Sequence, residues 1–202
     1  PTDSQVEPRR ATVAYLRGAI DRGAELRIRE SVLEILTDAE GAVRGVRTSK
    51  GIVEAPRVVV AAGSWSGQLG DLAGIHLPIQ PRKGHLLVLE RTRAPVHHKL
   101  MEGSYIDTTV SSDAGLQVAM VIETTRTGTV IVGSSRARVG FDRRTQPEVI
   151  AAEARRAARF IPALAELRVI RTYAGLRPYP PDHLPLIGPV AGRPGLFVAS
   201  GH

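Results

Sequence analysis

From Gly84 to Gly133 the sequence repeats strand patterns with no helical period between them, and this most constrains the fold. Gly84–Glu90, Ser104–Thr109, Leu116–Ile122 and Thr129–Gly133 each read as a strand. Consecutive strands without intervening helices indicate an antiparallel sheet. Arg126-Thr-Gly128 supplies a hairpin turn between the last two. Leu77–Pro81 reads as a linker strand leading into this region. Pro147 then opens a helix in which Ile150, Ala154, Ala157 and Ile161 form one apolar stripe, and Pro162 ends it. Leu167–Leu176 leads back out.

The flanks have another character. Pro8 opens a helix, because its missing N–H costs nothing in a first turn. Val13, Leu16 and Ile20 recur at helical spacing, and Gly23 is its stop. Strands are expected at Glu25–Arg29, Ser31–Thr37, Ala42–Thr48 and Gly51–Glu54. Arg57-Val-Val-Val-Ala-Ala62 is a continuous apolar run, as in a strand buried on both faces. Gly63-Ser64 turns it into a short helix carrying Trp65, Leu69 and Leu72, which Gly74 ends. The fold class is α+β: residues 80–167 form an antiparallel-sheet domain with one helix. Residues 1–79 and 168–202 together form a partial α/β domain.

Composition excludes several functions. With 43% hydrophobic residues among 202, the chain can bury a normal core. No apolar run is long enough to span a membrane. No signal peptide is visible, so the expected location is the cytoplasm. The absence of cysteine removes disulfides and thiolate metal sites. His97 and His98 are neighbours and diverge in an extended chain, and His85, His183 and His202 lie in no cluster with ligand spacing, so no metal site is expected. The net charge of +7 comes from scattered arginines with no interleaved aromatic residues, which does not describe a nucleic-acid surface. Ser64 and Ser66 lie outside any G-x-S-x-G elbow, which leaves a hydrolase without support.

The most specific stretch is Ala174-Gly-Leu-Arg-Pro-Tyr-Pro-Pro-Asp-His-Leu-Pro-Leu-Ile-Gly-Pro189, followed by Ala199-Ser-Gly-His202. It resembles the C-terminal flavin-facing segment of the D-amino acid oxidase superfamily, the group of glycine oxidase, sarcosine oxidase and D-amino acid dehydrogenase. The resemblance covers essentially the whole chain and implies FAD as cofactor. Such enzymes need a glycine loop that lets pyrophosphate approach backbone N–H groups at a helix N-terminus, yet no G-x-G-x-x-G occurs here. The expectation is an interior piece of a longer flavoenzyme, one that by itself neither binds FAD well nor turns over.

The resemblance also assigns roles. Arg177 matches the arginine that fixes the substrate carboxylate, a task suited to a planar, permanently charged fork; the alternative is an arginine bracing the turn before Asp182. Val32 and Ala61, Ala62, Gly63 and Trp65 match segments against the adenosine half of FAD, with simple packing of a strand-to-helix turn as the alternative. Lys83 and Gly84 lie where the family's chain passes the flavin, Lys83 either balancing charge there or sitting on the surface. Gly188, Gly201 and His202 match further cofactor-side positions. Met120, Val121 and Tyr105 match positions over the substrate, or they are sheet core. No catalytic acid–base residue is singled out.

Departures from the family narrow the choice. Ile131 stands where monomeric sarcosine oxidases place an oxygen-activating lysine, and without cysteine their covalent flavin link is excluded. Gly133-Ser-Ser-Arg136 and Phe141-Asp142 look most like dehydrogenase and opine-oxidase subunits. The resemblance therefore implies oxidation of a C–N bond in a D-amino acid, glycine derivative or secondary amino acid to an imine, with an electron-accepting partner subunit. The alternatives are a glycine oxidase-like enzyme using oxygen and a non-catalytic structural subunit.

Overall fold

The computed structural model describes residues 6–93, 96–111 and 113–201. Helix α1 (Pro8–Ile20) is capped by Glu7, whose carboxylate accepts from the N–H groups of Arg9 and Arg10. Its expected apolar stripe is uncovered: Val13, Leu16 and Ile20 are each at least 40% exposed, and no residue of α1 is buried. The strand expected at Glu25–Arg29 is absent. Arg29 sits at φ 53°, in the left-handed region, which interrupts an extended backbone. Strands β1 (Val32–Thr37), β2 (Val43–Thr48) and β3 (Gly51–Glu54) follow as an antiparallel sheet in that order.

Strand β4 (Val58–Val60) is shorter than the apolar run suggested, and it is not buried on both faces. Val60 is buried, whereas Val59 on the opposite face is 59% exposed. A 3-10 turn (Gly63–Trp65) leads into α2 (Ser66–Asp71). The linker strand and the Gly84–Glu90 strand are one element, β5 (Gln80–Arg91). After β6 (Leu100–Met101), the strand expected at Ser104–Thr109 is instead a helix, α3 (Ser104–Val110). Its β-branched and aromatic content favours a strand locally, but the turn is closed by Tyr105 N–H donating to the Glu102 carbonyl (2.9 Å). The Tyr105 ring packs beneath Arg136, so tertiary contact overrides propensity.

Strands β7 (Gln117–Thr124) and β8 (Thr129–Arg136) are joined by the expected hairpin, with Gly128 at φ 89°. Helix α4 (Pro147–Phe160) and a 3-10 turn (Pro162–Glu166) precede β9 (Val169–Tyr179). Residues 169–179, expected with the flank, are hydrogen-bonded to β5 along almost their whole length. The result is an antiparallel sheet of order β6-β7-β8-β5-β9. Beneath α4 its core holds Leu87, Leu89, Met120, Ile122, Val130, Val132, Ala157 and Leu164, each large side chain contributing about 1.5–3 kcal/mol by burial.

Strands β10 (Leu186–Pro189) and β11 (Leu196–Ser200) complete a third sheet, ordered β10-β11-β4. Here β11 runs parallel to β4, with Leu196 opposite Val58, although the two are far apart in sequence. A second core of Ile35, Val43, Val60, Ala73, Leu77, Leu196 and Val198 packs this sheet against the first.

Candidate functional site

The β5–β9 ladder sets Arg82 opposite Arg177 and Gly84 opposite Gly175. The Arg177 guanidinium crosses over β5 at Gly84, where a Cβ would overlap Nη1 and lie 2.6 Å from Cζ. Gly84 is therefore what lets the guanidinium lie there, and a side chain at this position would push it aside. Beyond it, Arg177 Nη1 donates to the Ser135 carbonyl of β8 at 3.1 Å. Burial first, and then the nearby charge of Arg136, lower the guanidinium's pKa, while Tyr105 and Glu153 pull it upward. An arginine stays charged under such shifts at any ordinary pH.

Other cations gather near it. Arg82 and Arg136 are buried. Arg136 lies 4.4 Å over the Tyr105 ring, while Arg82 and Arg138 lie 4.8 and 5.7 Å from the Tyr179 ring centroid. Burial, and secondly Arg136, lower the pKa of Arg82. Guanidinium groups stacked on phenol rings in a partly desolvated place favour an anionic ligand, carboxylate above all. Arg177 and Tyr105 are thus brought together. Met120 is not: its side chain is 2% exposed in the core under α4, and its N–H donates to Glu102 at 2.8 Å. Val121 is half-buried opposite Gly133.

Behind this group, toward α4, lies a buried polar cluster. The surface alternative for Lys83 is overturned, for it is 1% exposed and pairs with Asp142 at 3.4 Å. Asp142 is held well below the usual carboxylate range, first by the Arg144 side chain and backbone and then by Lys83. His85 Nε2 accepts from the Gln146 N–H at 3.3 Å, so its proton is on Nδ1, 2.9 Å from Ser135 Oγ. Burial, then Lys83, lowers the His85 pKa, which keeps this ring neutral. The backbone N–H of His85 also donates to Ser135 Oγ (2.9 Å). Glu153 of α4 is 1% exposed and, among the described residues, no hydrogen bond closes on either carboxyl oxygen. Burial pushes its pKa up to about 8, against the opposing pull of the Ser135 hydroxyl and Arg177. Sequence reasoning passed over Glu153, Ser135 and the role of His85. The readable signal was an acid within the apolar stripe of α4.

On the other side, β4 ends in Ala61, Ala62 and Gly63, the last at φ 52° in the left-handed region that suits glycine. Ser66 Oγ donates to Ser200 Oγ (3.0 Å), which donates to the Gly63 carbonyl (3.1 Å). This clasp ties the turn after β4 to the end of β11, next to the buried Gly201. Trp65 is 44% exposed and its ring lies 5.6 Å from that of Phe141. Gly188 lies on β10 with open space where a Cβ would go, and Val32 opens β1 opposite Thr48. His202 lies outside the described residues. Of these, the turn after β4 has the surroundings that would admit the edge of a flat cofactor. The strand end at Ala61–Gly63 presents nothing larger than a methyl group, and an exposed indole stands beside it. The sequence carries no G-x-G-x-x-G motif that would cradle a pyrophosphate. Among the described residues no three His, Asp or Glu are grouped to hold a metal, and no helix is long and apolar enough to cross a membrane.

Comparison with known proteins bears on this site. The family model for FAD dependent oxidoreductases, DAO, matches residues 1–202. The chain is 34% identical to the hydrogen cyanide synthase subunit HcnC of Pseudomonas aeruginosa, over 99% of this chain and 45% of that protein. It is 31% identical to a glycine oxidase of the same organism, over 93% of this chain and 48% of the oxidase. The crystal structure of an L-proline dehydrogenase from P. horikoshii superposes with a TM-score of 0.88 at 26% identity, covering 100% of this chain and 51% of that one. The chain spans about half the length of the relatives it matches.

Proposed function

The chain belongs to the DAO family of FAD dependent oxidoreductases, and we propose that the whole protein oxidises the C–N bond of an amino-acid substrate whose carboxylate is held by Arg177. The observation that carries this is the seat of the guanidinium over Gly84. Only one of its N–H groups is engaged among the described residues, at Ser135, which leaves the rest of the fork for a ligand. Tyr105 and the stacked Arg136 wall the same place. FAD, when bound, supplies the oxidation itself by accepting the electrons of the C–N bond. This chain's own residues orient the substrate: Arg177 fixes the carboxylate, and that fixes which face of the amine-bearing carbon is presented.

The substrate class is a D-amino acid, a glycine derivative or a secondary amino acid. Ile131 on β8, where oxygen-activating relatives place lysine, favours an electron-accepting partner over oxygen. So does similarity to a protein that is itself a subunit. Val121 is assigned to the substrate side, while the Met120 side chain belongs to the core under α4; Lys83 and Gly84 are assigned to the side the flavin passes. Val32, Ala61, Ala62, Gly63, Trp65, Gly188 and Gly201 are assigned to the cofactor side, as is His202 by its place in the sequence alone. The test is anaerobic mixing of the FAD-loaded whole protein with glycine, N-methylglycine, D-alanine and proline. Bleaching of the oxidised flavin by at least one of them, and not by its decarboxylated amine, is expected. Bleaching by the amines alone would contradict the proposal.

A further inference from the structure

Glu153 has no role in the proposed chemistry, yet among the described residues it is a buried acid with neither oxygen partnered. Both carboxyl oxygens are buried without a hydrogen bond, a state that costs free energy wherever it persists. Its neighbour Ser135 explains what it faces. Two donors from His85, the backbone N–H and Nδ1–H, already point at Ser135 Oγ. The serine's own proton is left to turn toward Glu153, whose charged form it favours. The same Ser135 gives its carbonyl to Arg177 Nη1. One residue of β8 therefore holds the carboxylate-binding fork through its backbone and, through its hydroxyl, favours the charged form of the buried acid.

We propose that Glu153 is a positioning residue for the substrate carboxylate, acting on Arg177 through Ser135, and that it takes up a proton from solvent as that carboxylate binds. This rests on Arg177 being the carboxylate fork. The charge that draws Glu153 toward ionisation is that of Arg177. A substrate carboxylate on the guanidinium offsets that charge, so the acid is left buried with less compensation and becomes protonated. The other groups around α4 do not compete. From β5, Lys83 is held by Asp142, and His85 is already neutral. From β7 come the apolar Met120 and Ile122, and from the 3-10 turn Leu164. Arg136 of β8 lies over Tyr105. On the helix itself Arg156 is committed to Glu102 at 2.6 Å, and Glu148, Arg155 and Arg159 are exposed.

The experiment uses the FAD-loaded whole protein and glycolate, which keeps the carboxylate but has no amine to titrate or oxidise. Its Kd is measured from pH 7 to pH 9.5 by calorimetry for wild type, Glu153→Gln and Arg177→Lys. Wild type should bind with constant affinity below about pH 8 and weaken by up to roughly tenfold per pH unit above it. The glutamine variant should be flat over the same range. In wild type near pH 8.5, two buffers of different ionisation enthalpy should report uptake of a fraction of a proton, a readout that needs no variant. Absence of that uptake, or an unchanged pH dependence in Glu153→Gln, would overturn the proposal while leaving Arg177 in place if Arg177→Lys still weakens binding. Glycolate affinity indifferent to Arg177→Lys would sink the carboxylate fork and this proposal together.

Discussion

The guanidinium of Arg177 lies on the bare α-carbon of Gly84, and any side chain at that glycine would occupy the same space. Strand β9 supplies the charge, strand β5 supplies the gap, and strand β8 anchors the far end at Ser135. Three strands of one sheet thus fix a single side chain.

Replacing Gly84 with alanine tests that geometry. The new methyl group must displace the Arg177 guanidinium, whose atoms are the nearest that it meets. Overpacking of this kind costs about 1–3 kcal/mol, so a lower Tm in a protein that still folds is expected. Loss of one charge-assisted hydrogen bond to substrate, about 1.5–3 kcal/mol, should lower kcat/KM roughly ten- to a hundredfold. Wild-type kinetics in Gly84→Ala would mean that the fork is not used.

The burial of Glu153 predicts a pH dependence of stability. Its pKa is raised from 4.5 to about 8 on folding, so between those values the folded state holds a proton that the unfolded chain has lost. Stability should therefore fall with rising pH across that window, by at most about 1.4 kcal/mol per unit, and level off above it. Denaturant unfolding of Glu153→Gln should show that slope reduced. Identical slopes in variant and wild type would contradict the buried acid.

Lys83 is a buried cation whose ion-pair partner is Asp142. Removing one partner strands the other, whereas replacing both removes the cost of burying the charge. Asp142→Ala should thus lower Tm, and the double variant Lys83→Met with Asp142→Ala should recover much of the loss. A double variant worse than the sum of the singles would show that Lys83 is needed for more than its pair.

The 202-residue chain carries the strand end at Ala61–Gly63 but no G-x-G-x-x-G. Without pyrophosphate contacts it should bind FAD more weakly than about 1 μM, or roughly −8.2 kcal/mol. Submicromolar affinity by calorimetry on this chain would show that the cradle is dispensable.

Much of this was legible in the residues. Strands at Leu116–Ile122 and Thr129–Gly133, the hairpin turn at Arg126-Thr-Gly128 and the stripe of α4 were readable from local residue pattern, and the Ala174–Pro189 block pointed to the family. Ser104–Thr109 was misread because Tyr, Ile and Thr favour a strand unless a packing partner intervenes, and Arg136 over Tyr105 is such a partner. Val59 was expected to be buried because an apolar run cannot say which neighbours cover its second face. Gly84 was singled out as a cofactor contact, but its need for a bare α-carbon comes from a side chain some ninety residues away, which no local pattern encodes. Ser135 was hidden because its function lies in where its carbonyl points. Glu153 was visible as an acid among alanines and isoleucine, and a stricter reading of that stripe would have marked it.

The most direct test of the account is Arg177→Lys in the FAD-loaded whole protein, assayed on an amino acid and on the matching amine without its carboxylate. Lysine keeps the charge and loses the second parallel hydrogen bond. The account predicts a roughly ten- to a hundredfold fall in kcat/KM for the acid, from about 1.5–3 kcal/mol of lost interaction, with little change for the amine. Equal losses on both substrates would mean that Arg177 only braces the turn before Asp182 and holds no carboxylate.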